Sequence, residues 1–146
     1  MAKNYYEKDA DLKLLKGKKI VILGYGSQGH GQAINLKDSG LNVTVSVRKG
    51  GKGYHLALKH GWKEGKDLFT DNAETVKGAD WVHFLLPDET QREVWENEVR
   101  PNLKKGAVIS FSHGFNIRFS QIVPPKEVDV VLIAPKGPGH LVRRTY

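Results

Sequence analysis

The sequence predicts an α/β fold: a doubly wound, mostly parallel sheet of about six strands with helices on both faces. Three observations point there. Apolar runs alternate with helical patterns along the whole chain. Several of those runs are apolar almost throughout, as in strands buried on both faces. The first run, Lys19–Leu23, breaks into Gly24-Tyr25-Gly26-Ser27-Gln28-Gly29 and then into a helical pattern. Strand, glycine turn and helix in that order form the context that a Gly-x-Gly-x-x-Gly fingerprint for dinucleotides requires.

The elements follow in order. Residues 9–15 read as a short leading helix. Strand one, Lys19–Leu23, precedes a helix from Ser27 to about Ser39, with Gly40 as its stop. Residues 41–47 place Leu41, Val43, Val45 and Val47 at period two, the mark of a strand with one polar face. A glycine-rich loop at 49–53 leads to a helix over 54–60, a weak strand at 67–69 and a short helix over 72–77. The second half repeats the alternation. Residues 81–86 are a near-continuous apolar strand, and Pro87-Asp88 ends it and starts a helix to about Val99. A strand over 107–111, an irregular or short helical stretch over 115–122, and an apolar strand over 128–134 complete the count. The tail, Pro135-Lys136-Gly137-Pro138-Gly139-His140, is turn chemistry.

At 146 residues the chain suits one domain, spanning 1–146, with a sizeable core. It has no apolar stretch long enough for a membrane span, and its first residues lack the apolar core of a secretory signal. Cysteine is absent, which excludes disulfides and thiolate metal sites and fits a cytoplasmic location. The formal charge is +7, but no block of five like charges occurs. A scattered basic surface with one phosphate site explains the charge more simply than nucleic-acid binding does. The histidines show no metal-ligand spacing and no acidic cluster would hold magnesium, so no metal site is expected.

In a doubly wound sheet, ligands sit at the carboxyl ends of the strands. After strand one, Gly24 permits the tight turn, Gly26 lets backbone approach a pyrophosphate, and Gly29 lets the helix pack close. The helix opening then offers free N–H groups to phosphate. After strand two, the place where an acidic residue would meet a ribose 2′-OH is held by Arg48. A guanidinium suits a 2′-phosphate, with Lys49 and Lys52 adding to it. The alternative is a solvated basic loop. After strand four, Asp88 and Gln91 have the spacing of a reciprocal helix cap. After strand five, His113 could exchange protons with a substrate near neutral pH, or could be a plain surface residue. After strand six, Lys136 would add charge for an anionic substrate, unless the segment is a simple exit loop.

Taken together, these segments resemble ketol-acid reductoisomerase (acetohydroxy acid isomeroreductase). The matching stretches include Gly24-Tyr25-Gly26-Ser27-Gln28-Gly29-His30, Leu85-Leu86-Pro87-Asp88-Glu89 and Ser112-His113-Gly114-Phe115-Asn116-Ile117. Gln121-Ile122-Val123-Pro124-Pro125-Lys126 and the run from Ala134 through Arg144 also match. The resemblance implies a Rossmann-type fold and a magnesium-dependent alkyl migration in a 2-acetohydroxy acid, followed by NADPH reduction to the dihydroxy acid. It implies cofactor contacts from Tyr25, Gly26, Ser27, Gln28, Asp88, Glu89, Thr90, Gln91 and Gly139, with Arg48 at the 2′-phosphate. It implies catalytic roles for His113 and Lys136. Many members carry serines in the loop after the arginine, where this chain has Gly51 and Gly53. NADP(H) is therefore expected, with NAD(H) also plausible. The family continues into a helical domain that supplies the magnesium ligands. Without it, the chain is expected to bind a nicotinamide dinucleotide but not to complete the reaction. Its oligomeric state is left open. A stand-alone reductase or nicotinamide-binding domain is the second reading, and a basic nucleic-acid module the last.

Overall fold

The computed structural model describes residues 3–146; Met1 and Ala2, the first residues of the expected domain, lie outside it. Six strands form one sheet: β1 (Lys19–Leu23), β2 (Asn42–Ser46), β3 (Leu68–Phe69), β4 (Trp81–Phe84), β5 (Val108–Phe111) and β6 (Asp129–Leu132). Their order is β3-β2-β1-β4-β5-β6 and every pairing is parallel. The order reverses direction between β1 and β4, so a crevice opens at the carboxyl ends of those strands.

The helices are α1 (Ser27–Asp38), α2 (Lys52–Lys59), α3 (Asn72–Val76), α4 (Asp88–Val94), α5 (Phe115–Arg118) and α6 (Gly139–Thr145). Alternation along β1 divides the core. Ile20 and Ile22 pack with Val43, Val45, Ala33 and Ala57 on the α1–α2 face. Val21 and Leu23 pack with Val82, Ile109, Phe111 and Trp95 on the α3–α4 face. The central strands are therefore covered on both sides, and they bury the polar Thr44, Ser46, His83 and Ser110 among their apolar residues, so the face of β2 expected to be polar and open is covered as well.

The structure departs from the sequence expectations in four places. The leading helix over 9–15 is two 3-10 turns, Glu7–Asp9 and Leu12–Leu15. The helix expected to reach Val99 is α-helical only to Val94. It continues as a π segment, Trp95–Val99, which buries both end residues, and a 3-10 turn, Arg100–Asn102. The tail is not all turn, because α6 begins at Gly139. Finally, β6 is exposed along its whole length, so helices do not cover the sheet on both faces at that edge. Beside it, a mostly apolar hollow of about 290 Å³ opens between α1, α6 and β4, bordered by Leu15, Ile22, Trp81, Ile133 and Val142.

Candidate functional site

The turn between β1 and α1 is built by glycines. Gly24 has φ +95°, and a Cβ there would lie 2.7 Å from the Leu85 carbonyl oxygen. A Cβ on Gly29 would lie 2.3 Å from the Gly24 carbonyl, so any side chain would push helix from strand. Gly26 differs: beyond its chain neighbours, no atom of the described residues lies within 4 Å of the Cβ position. Gly26 and Ser27 are exposed, and among the described residues no side chain caps α1. The unbonded amides at its opening, the open space at Gly26 and the positive helix end fit a diphosphate.

His30 fixes this turn from within α1. Its Nδ1–H donates to the Gly26 carbonyl at 2.9 Å, and its own backbone N–H donates to the same oxygen at 3.1 Å. The Tyr25 ring is buried behind the turn. Its hydroxyl accepts from Trp62 Nε1 at 2.7 Å and lies 3.1 Å from His60 Nδ1. Burial pushes the Tyr25 hydroxyl pKa up to about 12. His60 is lowered, first by burial and then by the charge of His30. Sequence reading passed over His30, His60 and Trp62. Only the i, i+4 spacing of Gly26 and His30 hinted at their contact.

The loop after β2 carries Arg48, Lys49 and Lys52, all exposed. Gly51 caps α2 and Gly53 lies in its first turn. A Cβ on Gly53 would lie 3.2 Å from the Tyr25 carbonyl, and one on Gly51 would lie 3.1 Å from the Arg48 carbonyl. The loop thus packs against the glycine turn. Lys49 is already engaged: its Nζ lies 3.1 Å from Glu64 Oε1, while the Tyr54 hydroxyl donates to Glu64 Oε2 at 2.7 Å. These bonds hold the Glu64 carboxyl below its ordinary pKa and raise those of Lys49 and Tyr54. Among the described residues, the Arg48 and Lys52 side chains have no hydrogen-bond or ion-pair partner, unlike Lys49.

At the ends of β4 and β5, Asp88 meets His113, with Oδ2 2.5 Å from Nδ1. Gln91 is buried and spends its amide inside. Its Nε2 donates to the Leu86 carbonyl at 2.8 Å and to Asp88 Oδ1 at 3.3 Å, and its Oε1 accepts from Asn116 at 2.9 Å. The Gln91 side chain is therefore a strut between two loops. The expected cap is shifted as well: Pro87 holds the N-cap position and Asp88 is the first helical residue. Glu89 and Thr90 are exposed on the first turn of α4, with the Thr90 hydroxyl donating to the Pro87 carbonyl at 2.9 Å.

The loop after β6 returns to the glycine turn. Gln28 Nε2 donates to the Gly137 carbonyl at 2.9 Å, and Gly139 N–H meets Ser27 Oγ at 3.3 Å. Gly139 is a packing residue here. A Cβ on it would sit 1.4 Å from the Ser27 carbonyl oxygen, so α6 lies directly on α1. Lys136 is exposed in the same loop. Among the described residues, no group of three or more histidine, aspartate or glutamate side chains is placed to hold a metal ion. No described helix is long and apolar enough to cross a membrane.

An all-parallel sheet that reverses at β1, with an uncapped helix opening over a glycine turn, defines a nucleotide-binding α/β domain of the Rossmann type. Solved structures agree on that fold. Mycobacterium tuberculosis 3-hydroxyisobutyrate dehydrogenase superposes with TM-score 0.67 at 19% identity, over 87% of this chain and 43% of its own. A semialdehyde dehydrogenase NAD-binding protein from Cupriavidus necator gives 0.65 at 18%, over 77% and 39%. Greater likeness comes from an NADH-preferring ketol-acid reductoisomerase of an uncultured archean, 41% identical with TM-score 0.83. The match covers 94% of this chain and 42% of that one, so this chain spans less than half its length. Residues 14–146 match the family described as acetohydroxy acid isomeroreductase, NADPH-binding domain. The chain belongs to the ketol-acid reductoisomerase family, as its N-terminal NADPH-binding domain.

Proposed function

We propose that this chain binds NADP(H), and accepts NAD(H), as the cofactor half of an enzyme that isomerises and reduces 2-acetohydroxy acids. The observation that carries the reading is the open space at Gly26 beneath the uncapped start of α1. In this reading the Ser27, Gln28 and Gly29 amides hold the diphosphate, and His30 keeps the Gly26 carbonyl turned away from it. Arg48, with Lys52, faces the 2′-phosphate. Glycine at 51 and 53 offers no hydroxyl there, and Glu64 engages Lys49, which supports tolerance of NAD(H). A bound reduced nicotinamide would supply hydride. His113, at the carboxyl edge of β5, would exchange a proton with a substrate oxygen, and Lys136 would draw an anionic substrate. The described residues do not form a magnesium site, so no metal-dependent step is assigned to them.

Fluorescence titration of the folded chain with NADPH and NADH tests the reading. Saturable binding of both is expected. Arg48→Ala should weaken NADPH by ~10-fold or more, the scale of one charged hydrogen bond, and leave NADH nearly unchanged. No saturable binding of either dinucleotide would remove the reading.

A further inference from the structure

The contact between Asp88 and His113 is held too firmly to be an ordinary surface ion pair. Such pairs join long, mobile side chains and contribute little. Here two side-chain amides grip the short aspartate. Asn116 Nδ2 donates to the Asp88 backbone carbonyl at 3.0 Å, and Gln91 Nε2 reaches its Oδ1 at 3.3 Å. Asn116 and Gln91 are in turn bonded to each other at 2.9 Å, and only 1% and 3% exposed. Two buried amides therefore aim the second carboxylate oxygen at His113 Nδ1, 2.5 Å away. The imidazole is also oriented by its neighbour, since its plane lies within 6° of the Phe115 ring at a centroid distance of 6.4 Å. Nε2 makes no hydrogen bond among the described residues, and the His113 side chain is 69% exposed.

An ionised carboxylate only accepts hydrogen bonds. We propose that Asp88 is the positioning residue for His113, holding the neutral imidazole with its proton on Nδ1 and its lone pair on Nε2. The arrangement is a base with its orienting partner, in which the second group fixes the tautomer and the ring plane. The ring can then take a proton at Nε2 and remain bonded to Asp88 as imidazolium. Its use in catalysis rests on the proton-exchange role proposed for His113 above. The tautomer itself does not depend on that role. Gln91 and Asn116 support Asp88 from behind.

Nitrogen-15 spectra of the histidine rings in the 146-residue chain, taken above neutral pH, read the tautomer directly. In the unaltered chain, the Nδ1–H form of His113 should exceed the Nε2–H form by ~10:1, the factor expected of one charged hydrogen bond. Asp88→Ala should reverse the ratio toward the Nε2–H form favoured by free imidazole. Asp88→Asn, whose oxygen stays with Gln91 Nε2 and whose amide N–H then faces Nδ1, should likewise favour the Nε2–H form. A predominantly Nε2–H His113 in the unaltered chain, or a ratio unmoved by Asp88→Ala, would overturn the proposal. The first measurement needs no variant, so a poorly folding D88A protein cannot shelter it. Dinucleotide titration of the same sample separates failure here from failure of the cofactor reading.

Discussion

Burial holds the His83 imidazole neutral, with its pKa pushed down to about 4. The bonding is fully directional. Nε2–H donates to Gln32 Oε1 at 2.8 Å, and the Ser110 hydroxyl donates to Nδ1 at 2.6 Å. Trp81 Nε1 then donates to Ser110, and Gln32 Nε2 passes on to Ser112 at 3.1 Å and Gln28 at 3.2 Å. The sign of the pH effect follows. The folded pKa lies below the unfolded value near 6.5, so acid favours the unfolded chain, which takes up a proton the native state refuses. His83 should therefore cost the fold roughly 3 kcal/mol as pH falls from above 6.5 to about 4. Proton NMR should show its ring untitrated until pH approaches the lower value; titration near 6.5 would contradict this. A second residue-scale test concerns Glu64. Glu64→Gln keeps a partner for Tyr54 but frees Lys49, and should tighten NADPH by ~2–5-fold, the scale of exposed charge pairs, with NADH unmoved. Comparative titration of the two cofactors checks it. The glycines and Arg48 were legible because backbone geometry and charge act locally in sequence. His83, Gln32, Asn116 and Glu64 were not, since their partners lie on other strands and loops.

At the scale of elements, the α1–α6 crossing depends on missing side chains. A Cβ on Gly31 would lie 2.5 Å from the Gly139 carbonyl oxygen. Both helices run in the same direction, and Arg143 ties them by reaching Asn35 Oδ1 at 2.8 Å and Asp38 Oδ2 at 2.6 Å. Gly31→Ala gains about 1 kcal/mol of helix propensity but meets backbone that cannot yield as a side chain does. The clash should win. Amide exchange across Gly139–Thr145 should then lose most of its protection while the β-sheet keeps its own. Unchanged protection in α6 would show that the helices separate at little cost. This helix was not legible beforehand. Its seven residues open with Pro138 as the cap and two glycines nearby, and a helix so short draws stability from packing rather than from propensity. By contrast, Lys19–Leu23 and the fingerprint after it could be placed from the sequence because apolar pattern and turn chemistry agree.

For the whole molecule, the parallel sheet of about six strands and the two helical layers were predictable from the alternation of runs, but the state of the β6 edge was not. An apolar sequence such as Val130, Val131, Leu132 and Ile133 reads as buried, whereas these residues are 44%, 37%, 59% and 38% exposed. Burial depends on what lies beside a strand, which the strand's own residues do not encode. The uneven core gives a contrast in stability. Ile109→Ala, in the sealed α3–α4 face, should cost about 2–5 kcal/mol in chemical denaturation. Leu132→Lys, at the open edge, should fall within about 0.5 kcal/mol of the unaltered chain. Equal losses at both sites would mean that β6 is covered in solution.

The measurement that bears most directly on the chain's role is a crystal structure with NADPH bound. The diphosphate should lie on the Ser27–Gly29 amides above Gly26, with Arg48 at the 2′-phosphate. Ordered NADPH bound elsewhere, or a diphosphate held away from the opening of α1, would contradict the account.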